Sequence, residues 1–104
     1  MIRTYKNKNS NNITAVRWDE TEETLNAINL ELCTQLSECK AKRCNFPQER
    51  TIYIKNIQRT ENDEFCTASV AFVRLGDYVI LDKTREINPI FSCQEDGFFE
   101  LLQN

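Results

Sequence analysis

A chain of 104 residues is long enough for one hydrophobic core and too short for two domains. With 40% apolar and 28% charged residues, and only two glycines and two prolines, it has the composition of a folded globular domain rather than a disordered or repetitive one. Thirteen basic against sixteen acidic residues give a formal charge of −3, which argues against direct nucleic-acid binding and is far from the dense acidity of a DNA mimic.

Residues 1–10 are expected to form a flexible lead-in. Residues 11–18 then alternate, with Ile13, Ala15 and Arg17 opposed to Thr14, Val16 and Trp18, the pattern of a strand ending at Trp18. Asp19 followed three residues later by Glu22 resembles a capping box, so a helix starts near residue 20. Its stripe of Leu25, Ile28, Leu32, Leu36 and Cys39, with Lys40, Lys42 and Arg43 at the C-terminal end, predicts one amphipathic helix of about five turns. Asn45-Phe46-Pro47 ends it, and a linker runs to about residue 50.

Thr51 to Ile57 alternates again, Ile52, Ile54 and Asn56 on one face and Tyr53, Lys55 and Ile57 on the other. Glu61 to Glu64 reads as a polar turn. Phe65 to Arg74 is the most hydrophobic run and is expected to be the central strand. Gly76-Asp77 breaks the chain, Tyr78 to Leu81 is a strand, and Glu86 to Phe91 returns as the second arm of a hairpin, with Pro89 marking an edge. The apolar end, Phe98, Phe99, Leu101 and Leu102, is expected to dock as a last strand or short turn. The sum is an α+β domain spanning 1–104, one amphipathic helix packed on a mainly antiparallel sheet of about 4–6 strands.

Five cysteines (Cys33, Cys39, Cys44, Cys66, Cys93) cannot all pair within one chain. None of the spacings among Cys33, Cys39 and Cys44 is the C-x2-C knuckle of a zinc site, and there is no histidine to complete one. No metal or other cofactor is expected. The N-terminus lacks the apolar core of a secretory signal, and no apolar run reaches the length of a membrane span. Free thiols in a reducing cytoplasm, away from membranes, are the expectation.

Gly76, Asp77 and Tyr78, followed at fixed spacing by Glu86 and Pro89 and then by Cys93, Asp96 and Phe98, resemble the C-terminal signature of a family of small, largely uncharacterised bacteriophage proteins. Tyr5, Lys6 and Lys8, the Ala15-x-x-Trp18 spacing and the acidic stretch after Asp19 resemble that family's N-terminal motif. Asn9 stands where the family has proline, three extra residues separate Pro89 from Cys93, and residues 30–65 show no match. The resemblance implies a phage origin, and hence the host cytoplasm as compartment. It carries over no catalytic residue.

Absence of histidine removes the usual near-neutral acid-base group and every Ser-His or Cys-His dyad. The acidic pairs lie at helix starts and turns, where carboxylates are solvated, and two glycines cannot build a phosphate-cradling loop. No enzyme is expected. Trp18 and Tyr78 admit two readings, as core aromatics or as parts of a recognition patch with Arg17 or Arg74, while Asp77 is expected to bond backbone amides in its turn. Binding candidates are therefore Tyr78, Asp77, Glu86, Arg74, Arg17 and Trp18.

The leading expectation is a phage accessory protein that binds a host macromolecule, a host protein by preference, and inhibits an anti-phage defence such as a CRISPR nuclease, through an edge strand or an exposed patch. The alternative is a sponge that holds a small nucleotide between subunits of a homo-oligomer, with Arg17, Lys55, Arg74 and Arg85 on phosphate and Tyr53 or Tyr78 stacked on a base. A phage structural or replication accessory role is the third.

Overall fold

The structure, a computed structural model, describes residues 1–45, 50–60, 62 and 65–103. The proline break at 46–47 with most of its linker, and three of the four residues of the 61–64 turn, lie outside the described residues.

Among the described residues, seven strands form two antiparallel sheets. The first has the order β1-β2-β6-β7, with β1 at Arg3–Lys6, β2 at Asn12–Arg17, β6 at Tyr78–Leu81 and β7 at Ile90–Cys93. The second has the order β3-β4-β5, from Glu38–Arg43, Ile52–Arg59 and Cys66–Val73. The described residues also form two α-helices, α1 at Glu22–Ala27 and α2 at Glu95–Gln103. The class is α+β, with the strands divided between two sheets.

Alternation along β2 explains the layering. Val16 and the following Trp18 enter the core between the sheets, where they meet Leu25, Ile28, Ile52, Ile54, Val73, Val79 and Ile90. Ile13 and Ala15 point the other way and pack with Ile80 under Phe98 of α2. Both faces of β2 and β6 are thus covered, by the second sheet on one side and by α2 on the other. Period-two side-chain direction makes that arrangement possible from one short strand.

The return arm of the hairpin begins at Ile90 rather than at Glu86, because residues 82–89 are taken up by the connecting loop. Four larger sequence expectations change. Residues 3–6, inside the stretch expected to be flexible, form β1, with Arg3 opposite Ala15 and Tyr5 opposite Ile13. The helix is capped by Thr21, whose hydroxyl accepts the Thr24 N–H at 3.1 Å, while Asp19 accepts the Thr21 N–H instead of capping the helix itself. Burial works against ionisation of Asp19, yet its bonds from Thr24 and Thr21 outweigh it and hold the carboxyl below its usual range. The helix also stops early. It widens to a π-turn over Ile28–Leu32 and tightens to a 3-10 turn over Cys33–Gln35.

Thr34 and Gln35 side chains then donate to the Leu30 and Glu31 carbonyls at 2.7 Å each, taking up acceptors that a continuing helix would need. Leu36 is extended, and Glu38–Arg43 becomes a strand, so Cys39, Lys40, Lys42 and Arg43 belong to β3 rather than to a helix end. Third, the apolar run after Phe65 is β5 at the margin of its sheet, and β4 is central. Its apolarity comes from Ala68, Val70 and Phe72, which are exposed, and not from burial on both faces. Finally, the C-terminal segment is a nine-residue helix, α2, rather than a strand or turn.

Sheet edges decide which backbone groups remain available. Asn29 closes the outer edge of β3: its Nδ2 donates to the Ala41 carbonyl and its Oδ1 accepts the Ala41 N–H, both at 2.9 Å, as a neighbouring strand would. Asn29→Asp keeps the acceptor but sets a carboxylate against the Ala41 carbonyl. A loss of about 1–3 kcal/mol is expected in urea unfolding; an unchanged midpoint would show that Asn29 does not hold this edge.

Candidate functional site

Five of the six residues singled out from the sequence gather at one end of the first sheet. Trp18 and Asp77 are joined there by backbone bonds, Trp18 N–H to Asp77 O at 2.8 Å and Gly76 N–H to Trp18 O at 3.0 Å. Gly76 sits at φ +90°, a conformation that L side chains rarely adopt, and this lets the chain turn tightly into β6. Asp77 Oδ2 accepts the Arg74 N–H at 2.9 Å, and Arg17 donates from Nε to the Gly76 carbonyl at 3.3 Å while pairing with Glu95 at 3.7 Å. Glu86 lies apart, in the loop at the far end of the β6–β7 hairpin, where its backbone carbonyl accepts from Gln58.

These residues are committed to structure. Trp18 is fully buried, with Nε1 donating to the Arg50 carbonyl at 2.7 Å and the Arg43 guanidinium 5.5 Å above its ring. Tyr78 stacks on Phe98 with ring centroids 4.1 Å apart, and Tyr5 meets the same ring edge-on at 5.2 Å. Asp77 bonds its own turn. Only Arg74 and Glu86 leave their charged groups exposed without a described side-chain partner.

Nor does the fold bring together the groups considered for a nucleotide. Arg17 and Tyr78 belong to the α2 side of the first sheet, Lys55 and Tyr53 to the outer face of the second, and Arg85 covers the Phe91 ring at 4.0 Å. A cleft of about 380 Å³ lies between Gln35–Glu38 and Asn56–Arg59. Its polar walls are largely engaged already, Gln35 on Glu31, Gln58 on Glu86 and Arg59 on Glu38. Arg59 holds the Glu38 carboxyl below its usual range through that bond. Asn56 Nδ2 is buried without a hydrogen-bond partner among the described residues, and it is closed off from the cleft's solvent.

All five cysteines are free. Cys33 and Cys39 share a hydrogen bond, which together with burial pushes the Cys33 thiol up. Burial, with the Asp77 carboxylate adding to it, also raises Cys93. Among the described residues no group of three or more His, Cys, Asp or Glu is placed to hold a metal ion, and no helix is long and apolar enough to cross a membrane.

What the sequence did not single out is the outer face of the second sheet. Register aligns Lys42, Tyr53 and Phe72 in one row, Lys40, Lys55 and Val70 in the next, and Glu38, Ile57 and Ala68 in the third. Four cations, Lys40, Lys42, Lys55 and Arg59, face a single carboxylate, Glu38, on a chain whose formal charge is −3. Beside them Phe72 is 62% exposed and Val70 50%. Exposed apolar side chains thus lie along the margin of this sheet next to its cationic rows.

Backbone groups on that margin are open as well. Thr60 N–H donates to Phe65 O at 3.0 Å, so odd-numbered residues of β5 face β4 and even-numbered ones face away. The Ser92 hydroxyl donating to the Phe72 carbonyl at 2.9 Å from β7 agrees, and it occupies only that end of the edge. Among the described residues nothing pairs the outward N–H and C=O groups of Cys66, Ala68 and Val70. Between Cys66 and Val73 there is no charge and no proline, two of the usual protections of an open edge. Comparison of the chain with family models, with curated proteins and with solved structures finds no match.

Proposed function

We propose that this chain is a small, non-enzymatic binding protein that adds an extended segment of a partner protein to the edge of β5. The observation that carries the reading is the edge itself: Cys66, Ala68 and Val70, whose outward backbone groups have no partner among the described residues, with exposed Phe72 beside them. Main-chain bonds supply affinity in strand addition, and alternate side chains supply choice of partner. Here the fitting segment is apolar at alternate positions beside Val70 and Phe72, on a partner whose adjoining surface is acidic and meets Lys40, Lys42 and Lys55. The resemblance to phage proteins sets the context: a host protein in the host cytoplasm, with components of anti-phage defence such as CRISPR nucleases the first to try.

Val70→Lys tests this directly. The side chain is half exposed on the outer face, so the fold is retained at a cost of about 0.2–1 kcal/mol from the facing Lys55, checked by circular dichroism, while a charge is placed on the free edge. Immobilised wild-type protein is expected to retain a stoichiometric protein from host lysate, and the variant to bind it at least about tenfold more weakly. Equal capture by a folded variant, or capture abolished by nuclease treatment in favour of a nucleic acid, overturns strand addition.

A further inference from the structure

We infer that the β5 edge, when no partner occupies it, pairs with the β5 edge of a second copy, antiparallel about a two-fold axis at Ala68. The inference rests on the same open edge as the strand-addition reading and names what covers it in the resting protein.

Register selects the axis. Antiparallel pairing joins residues whose backbone groups point at each other, which on this edge are Cys66, Ala68 and Val70, the Phe72 carbonyl already accepting the Ser92 hydroxyl. Centring on Ala68 sets Ala68 against its own copy and Cys66 against the second copy's Val70, so all three free residues pair on both chains. Among the described strand residues Cys66–Val73, any other register that faces these groups leaves one of them unpaired or displaces the Ser92 bond. An isologous contact of this kind closes at two subunits.

Charge permits it as well. Like charges directly opposite each other destabilise a strand pair, and β5 brings none to the seam. Lys55 stands one strand further in and Lys40 and Lys42 two strands in, so the cationic rows of the two copies stay separated by both β5 strands. Other edges are less suited: Asn29 occupies β3 at Ala41, and β1 is four residues long with exposed Arg3 and Lys6. Self-pairing and strand addition then exclude one another, and partner binding dissolves the dimer.

A cross-link read by position tests the register. In the full chain with Cys66→Ser and Ala68→Cys, the two introduced thiols face each other across the axis. Their Cα atoms are about 5.5 Å apart, within disulfide reach. Oxidised glutathione is expected to link this variant into a covalent dimer. The native Cys66 thiols, four residues out of register and about 14 Å apart, are expected not to link. Wild-type protein should sediment at twice the chain mass and Val70→Lys at the monomer mass. A wild type that is monomeric at every concentration up to its solubility limit, or a dimer that Val70→Lys leaves intact, overturns the inference. Partner capture separates the two claims. A monomer whose capture still depends on Val70 removes only the dimer, and a Val70-dependent dimer whose capture does not depend on Val70 removes only strand addition.

Discussion

Trp18→Ala is expected to cost about 3–5 kcal/mol, the range for emptying a large aromatic site in a core. Domains of this size have about 5–15 kcal/mol in total, so much of the chain's stability hangs on one side chain. The reason is position. Trp18 follows the last residue of β2, where the core between the sheets meets the start of α1, and it is fully buried against both. Its indole N–H reaches the Arg50 carbonyl at 2.7 Å, and removal leaves that acceptor without its partner. Trp18→Phe should recover part of the loss, since it restores ring volume but not the bond. Urea unfolding followed by far-UV circular dichroism measures both, because the chain's single tryptophan is gone in each variant. Trp18 could instead belong to a recognition surface, as one reading of the sequence allowed; the alanine variant would then lose partner capture while its unfolding midpoint stayed in place.

Local grammar carried much of the fold. The alternation of residues 11–18 and the β4 pattern from Ile52 to Ile57 each reflect a period-two constraint that short-range sequence expresses directly, whereas the hairpin's return arm pairs from Ile90 to Cys93 rather than from Glu86 to Phe91. The helix end was harder to see. Leu32, Leu36 and Cys39 fit a helical stripe, but Lys40-Ala41-Lys42 also alternates, and what decides between them is Asn29 bonding Ala41 from twelve residues away. The same holds for β5. An apolar run reads as buried when only composition is visible, yet its outward half is exposed, with no layer of the described residues over that face. The cationic face escaped notice for a related reason: Lys40, Lys42 and Lys55 are dispersed in sequence, and register alone places them side by side, hidden under a negative total charge. Trp18, Tyr78 and Asp77 stood out because aromatics beside Gly, Asp and Arg are conspicuous. Their bonds show them spent on packing and on one tight turn.

Phe98→Ala should separate that packing from binding. Phe98 is the buried residue of α2, sandwiched by Tyr78 and met edge-on by Tyr5, and truncation is expected to cost about 3–5 kcal/mol at this site. The cluster it anchors holds only one face of the first sheet, with Ile13, Ala15 and Ile80, whereas the main core lies on the opposite face. The helix can therefore come away before the two sheets part. Hydrogen exchange should show amide protection collapsing over residues 95–103 and at Lys8, whose N–H bonds the Leu101 carbonyl, with β4 remaining protected. Uniform loss of protection would mean that α2 and the sheets open as one unit. The β5 edge sits on the other sheet, beyond the main core, so at a temperature where the variant's sheets stay folded its partner capture should equal that of the wild type. Loss of capture with β4 still protected would move the binding surface to the α2 side, where Arg17, Tyr78 and Glu95 meet.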